Sequence, residues 1–170
     1  MGNGRDRINK FSYTKSGRGN LFPGALPGWE TPFILQFNTA GVRKWATYYG
    51  GSNDDVANSI SSDGKNVWVT GFSASADFPT LNPGGGAYFQ GAPASINGNA
   101  FILQFNASGV RKWATYYGGD IGYSIQSDGN NVWVCGSTPS DFPTLNSGCG
   151  FFQDTLGGGQ DVFILGHVLT

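Results

Sequence analysis

Asp54 and Asp55 stand side by side in a polar turn, Gly50-Gly51-Ser52-Asn53-Asp54-Asp55. Carboxylates among backbone carbonyls are what calcium prefers, because it is a hard ion that collects several oxygen ligands. The DxDxDG spacing of a calcium loop is missing, so the pair is a weak calcium candidate beside the plainer reading of a solvated turn. Cys135 and Cys149 are the only two cysteines. A disulfide closing so short a loop contributes on the order of 3 kcal/mol; two unbonded thiols are the equal alternative. His167 is the single histidine. Zinc sites and nucleophilic triads need partners that it lacks, so it reads as a strand-end residue. Glycoside hydrolysis needs two acids facing each other across a pocket. Glu30 is the only glutamate, and most of the 11 acids fall in turns, so no pair stands out. The residues therefore predict no enzyme, and no cofactor apart from the weak calcium candidate.

The elements that would position these groups come from a repeat. Phe33 to Gly51 reads FILQFNTAGVRKWATYYGG, and Phe101 to Gly119 reads FILQFNASGVRKWATYYGG. The second stretch begins 68 positions after the first and differs from it at two positions. Further on, the segment from Ser61 to Val69 is matched by that from Gln126 to Val134, and Asp77-Phe78-Pro79-Thr80-Leu81-Asn82 by Asp141-Phe142-Pro143-Thr144-Leu145-Asn146. Tyr88-Phe89-Gln90 is matched by Phe151-Phe152-Gln153, and a third copy opens at Val162-Phe163-Ile164-Leu165. Near-identity at this spacing means stacked copies of one supersecondary unit. The expected division is a worn partial copy over 1–32, full units over 33–100 and 101–161, and the start of a third over 162–170.

Within a unit, FILQFN is short, apolar and bounded by turn residues, which predicts a strand. Phe33, Leu35 and Phe37 share one face by alternation, as do Phe101, Leu103 and Phe105. Lys44 to Tyr49 is a second strand, carrying Trp45, with Trp113 as its counterpart. Ala57 to Ser62 is a third strand of small residues. Asp63-Gly64-Lys65-Asn66 is a hairpin turn, with glycine supplying the positive φ. Val67 to Gly71 is the fourth strand, carrying Trp68, with Trp133 as its counterpart. The long Gly/Pro/Asn segment from Ser73 to Asn99 reads as a loop, since Pro79, Pro83 and Pro93 oppose a regular strand. These aromatic and aliphatic residues are read as packing groups between sheets. Both cysteines arise in one copy and are absent from the other, where Thr70 and about Gly86 stand, and this joint appearance is what hints at a bond.

Four short antiparallel strands repeated at 62 to 68 residues follow the logic of a propeller blade. The fold class expected is therefore all-β, with four-stranded antiparallel propeller blades in tandem, about two and a half of them. Small residues in the third strand suit the crowded innermost position, and KWATYY suits an outer one. Ser61-Ser62-Asp63-Gly64 with Trp68, and its counterpart, resemble the Asp-box hairpin of sialidase-type propellers, although the glycine falls one place early. Taken together in order, FILQFNxxGVRKWATYYGG, the GGSNDD turn, SDGxNVWVTG and DFPTLN with YFQ resemble the SBBP repeat, a bacterial β-propeller family. The resemblance covers Phe33 to Thr170. It implies a blade fold and an extracellular or cell-surface setting, and it brings no catalytic residues. The second copy departs from the pattern by holding Asp120 where the first has Asp54 and Asp55.

Composition sets further bounds. Charged residues are 12% and the formal net charge is −1, which leaves no basic face for nucleic acid. Aromatics are 15% and glycine is 28 of 170, which favours a packed all-β chain over disorder. No apolar run approaches the ~18 residues of a membrane-spanning helix. Asn106-Ala107-Ser108 has the form of a glycosylation sequon, but a bacterial resemblance favours a plain turn asparagine. The function expected is a non-enzymatic structural or adhesive module of a secreted or surface assembly. Such a module would associate with copies of itself, or with the rest of a longer chain, through blade edges and faces. A carbohydrate-binding propeller is the alternative, with Trp29, Tyr88 or Tyr123 stacking on a glycan near the loop Pro83–Asn99.

Overall fold

The computed structural model describes residues 30–119, 121–139, 142–148 and 151–168, the side chains of the last two excepted. Nine strands run in chain order: β1 (Phe33–Phe37), β2 (Arg43–Tyr48), β3 (Asp55–Ser62), β4 (Asn66–Ser73), β5 (Asn99–Asn106), β6 (Arg111–Tyr117), β7 (Ile121–Ser127), β8 (Asn131–Thr138) and β9 (Asp161–Val168). All pairings are antiparallel, and no helix occurs among the described residues. The chain is all-β, as its composition and alternation predict.

The strands form three sheets: β1-β2, then β3-β4-β5-β6, then β7-β8-β9. The four-stranded sheet thus takes two strands from the unit at 33–100 and two from the unit at 101–161. Its seam is the β4-β5 pairing, in full register from Asn66↔Asn106 to Ser73↔Asn99. The chain changes sheet instead between β2 and β3. A Cβ at Gly50 would lie 2.5 Å from the Asp55 carboxylate, and one at Gly51 would lie 2.3 Å from that of Asp77. Only glycine lets the backbone run this close to those side chains.

Turn chemistry fixes the hairpins, and it repeats. Asn38 Oδ1 accepts from the N–H groups of Ala40 and Val42, and Asn106 Oδ1 from those of Ser108 and Val110. Asp63 Oδ1 accepts from Lys65 and Asn66, and Asp128 Oδ1 from Asn130 and Asn131. These are side-chain mimics of a backbone turn. Asn106 of the sequon is accordingly a turn-forming asparagine. The segment 74–98 carries no strand, as its prolines predict; one isolated bridge, Leu81↔Ala114, ties it to β6.

The sheets stack face to face, with the four-stranded sheet in the middle. Alternation sends Val67, Val69, Phe101, Leu103, Phe105, Ala114 and Tyr116 to one of its faces, where they meet Ile34 and Trp45 of the first sheet and Tyr49 just after β2. Trp68, Ala100, Ile102 and Trp113 line the other face and meet Ile125, Val132, Val134 and Phe163 of the third sheet. Each fully buried side chain of this size contributes roughly 1.5–3 kcal/mol.

Position in the stack corrects part of the expected core. Phe101, Leu103 and Phe105 are buried, but their counterparts Phe33 and Phe37 are 56% and 51% exposed, and Leu35 is half-buried. Trp68 and Trp113 are buried, Trp45 is half-buried and Trp133 is 40% exposed. The reason is geometric: a middle sheet is covered on both faces and an outer sheet on one.

Candidate functional site

The joint between neighbouring sheets is the most organised feature of the molecule, and it occurs twice with matching chemistry. Phe78 lies in the first core, with its ring centroid 4.9 Å from Phe101, and Phe142 stacks at 4.2 Å on Phe163. Phe78 and Phe142 belong to the repeated Asp-Phe-Pro segment. The following prolines offer carbonyls to tyrosines of the preceding sheet: Tyr49 Oη donates to the Pro79 carbonyl, and Tyr117 Oη to that of Pro143 at 2.8 Å. Arg111 Nη1 reinforces the first of these joints by donating to Tyr49 Oη and to the Pro79 carbonyl, each at 2.8 Å. Burial pushes the Tyr49 phenol above its ordinary range, partly offset by Arg111. Burial, with a smaller contribution from Tyr88, pushes Tyr117 up to about 12. Both hydroxyls are therefore neutral donors at ordinary pH.

At the joint between the second and third sheets, the edges of β3 and β7 add polar contacts. The N–H of Ile125 donates to Ser59 Oγ at 3.2 Å, and that of Ser127 to Ser61 Oγ at 3.1 Å. Asn58, left unpaired by the bulge between Ala57 and Ser59, donates from Nδ2 to the Gly122 carbonyl at 2.9 Å. Edge backbone groups that would otherwise invite another strand are thus satisfied by side chains of the neighbouring sheet. Small residues in β3 allow this approach. Gly122 lies so close that a Cβ there would be 2.2 Å from Thr70 Oγ1.

The acids serve this framework one at a time. Asp54 Oδ1 accepts from the N–H of Glu30 at 2.9 Å. Asp55 is 1% exposed, and its Oδ2 accepts from Gly51 N–H at 2.7 Å and from Ser75 Oγ at 2.9 Å. Burial raises its pKa against the pull of the hydrogen bonds from Ser73, Gly51 and Ser75. Asp77 Oδ1 accepts from the N–H and Oγ of Ser52. Among the described residues, no group of three or more histidine, cysteine or acidic side chains converges as a metal site would require. Asp54 and Asp55 therefore each hold a separate stretch of loop.

The remaining sequence candidates are scattered. Cys135 sits half-buried in β8 opposite Ile164, while Cys149 lies outside the described residues. His167 pairs with Val132 in β9. Tyr88 packs its ring 4.5 Å from Tyr117, and its carbonyl accepts from Trp113 Nε1 at 3.0 Å, so it is a framework residue. Tyr123 is 51% exposed, with its Oη accepting from Ser137 Oγ at 3.0 Å. Trp29 lies outside the described residues. The sequence reading gave no role to Tyr49 or Phe78, although repetition of the tyrosine pair and of Asp-Phe-Pro marked both.

Among the described residues, the joints leave two sheet faces uncovered. On the outer side of the first sheet lie Phe33 and Phe37, both more than half exposed. On the outer side of the third lie Trp133, Val162 at 76% and Ile164 at 77% exposed. Set beside known proteins, the chain matches no family model and no curated sequence. No helix among the described residues is long and apolar enough to cross a membrane.

Proposed function

We propose that this chain is a non-enzymatic structural module, a run of propeller-type blades of the SBBP kind, in a secreted or surface assembly where it associates with copies of itself. The observation that carries this reading is the twice-built joint: the same apolar face, tyrosine–proline hydrogen bond and aromatic pair hold each sheet to the next. Repeat proteins place their stability in such nearest-neighbour interfaces. Sheets that stack this way extend naturally into a larger array, and an apolar face left open is a site of association. The acids support the reading because the five described above are spent on bracing turns and loops. The module works through packing, with no cofactor. Calcium at Asp54 and Asp55 remains the weak alternative role for that loop.

The second reading is a carbohydrate-binding propeller, favoured by the exposed rings of Tyr123 and Trp133. A glycan array separates the two. The structural reading expects no glycan to be retained, and expects light scattering to give a mass above that of one 18.0 kDa chain. A defined glycan hit that is lost in Tyr123→Ala and Trp133→Ala would overturn it in favour of the lectin.

A further inference from the structure

Resting on that structural reading, we infer that the two open faces are the two halves of one head-to-tail interface, whose occupant is a second copy of this chain. The repeat itself identifies the partner. Phe33 and Phe37 are the counterparts of Phe101 and Phe105, which are 0% and 3% exposed where the first sheet covers them. Trp133, Val162 and Ile164 are the counterparts of Trp68, Ala100 and Ile102, which are 0%, 1% and 5% exposed where the third sheet covers them. At both described joints, the Trp68-type face of one sheet meets the Phe101-type face of the next. The outer side of the third sheet is a Trp68-type face, and the outer side of the first is a Phe101-type face. Each therefore presents what the other packs against within the molecule.

The polarity matters. Two first-sheet faces, or two third-sheet faces, would set like against like, a pairing that neither of the two described joints uses. A contact between unlike faces is heterologous, so it closes as a ring or runs on as a filament according to its rotation. The β7 edge is a less suitable route, because it already spends donors on Ser59 and Ser61. Face stacking continues the interface that the chain has built twice.

The test places a charge on each face in turn. Phe37→Glu closes the first face and Ile164→Glu the second; both side chains are largely exposed, so the fold of one chain tolerates either change. Phe37→Thr and Ile164→Thr serve as milder variants that keep strand preference, and circular dichroism checks that all four are folded. Light scattering of each variant alone should give monomers, with association weakened about 30-fold or more, as at an interface hot spot. An equimolar mixture of Phe37→Glu and Ile164→Glu should give dimers and nothing larger, since each brings one intact face. If folded single variants keep the wild-type mass, edges or loops carry assembly; the inference then fails while self-association stands. If each variant alone forms dimers, the faces pair like with like and the inference also fails. If the wild-type chain is itself a monomer up to about 1 mM, a concentration that a Kd of that size would half-fill, both the inference and self-association fall.

Discussion

Trp68 and Trp133 occupy the same place in two copies of the repeat, so truncating each measures what a covering sheet contributes. Trp68 is fully buried between the second and third sheets, with its ring edge-on to Trp113 at 6.2 Å between centroids. Removing it opens a cavity that the flanking sheets fill only in part, a loss of about 3–5 kcal/mol for a core tryptophan. That figure includes an aromatic pair worth roughly 0.5–1.5 kcal/mol. Trp133 sits in β8 as Trp68 sits in β4, but it is 40% exposed, with none of the described sheets over its outer side. Its truncation forfeits only the area it buries against its own sheet and leaves no closed cavity, so roughly 1–2 kcal/mol is expected. The assay is urea unfolding of Trp68→Ala and Trp133→Ala in chain dilute enough to be dissociated, followed by circular dichroism. The m value should be common to both and the midpoints should differ. Equal losses would refute the reasoning, because burial by the neighbouring sheet would then not be what distinguishes the two sites. Raising the concentration should increase the cost of Trp133→Ala alone, since assembly covers that ring.

Gly122→Ala should destabilise the chain by about 1–3 kcal/mol, as overpacking does, because its Cβ would meet Thr70 Oγ1 at 2.2 Å across the joint. Thr70→Ala removes the obstructing atom, so a double-mutant cycle in urea should show the two costs to be less than additive; strict additivity would place the strain elsewhere. Asp55 and Asp63 should give stability opposite pH dependences. The folded chain holds the Asp55 proton to a higher pH than the unfolded chain, so stability falls as pH rises from the ordinary carboxylate range through the raised value. Asp63 is pushed up by burial, but the donors from Asn66, Lys65 and Trp68 outweigh this and hold it low, so its contribution is lost as pH falls. Urea midpoints of Asp55→Asn should lose the decline above about pH 4, and those of Asp63→Asn should lose part of the decline below it; identical pH profiles for wild type and both variants would refute the assignment.

Local structure was legible in the sequence because it is set by neighbours along the chain. Alternation in FILQFN and KWATYY placed the strands, and Asn38, Asp63 and their counterparts placed the turns through bonds that span a few residues. The prolines between Ser73 and Asn99 kept that segment out of the sheets. Near-identity between copies foretold that Phe33 and Phe101 would occupy like places in like strands, and to that extent the sequence determined the architecture by itself. Which strands join in one sheet was not legible. The FILQFN strand can be written with the strands before it or after it, and the choice rests on β4 and β5 pairing across 25 intervening residues, 74–98. Burial was not legible for the same physical reason. Phe37 and Phe105 have matching sequence neighbours, yet one is exposed and the other buried, because burial belongs to the sheet that comes to lie over a residue. The tertiary structure alone decided which faces were covered, and with them where the open surfaces of this chain lie.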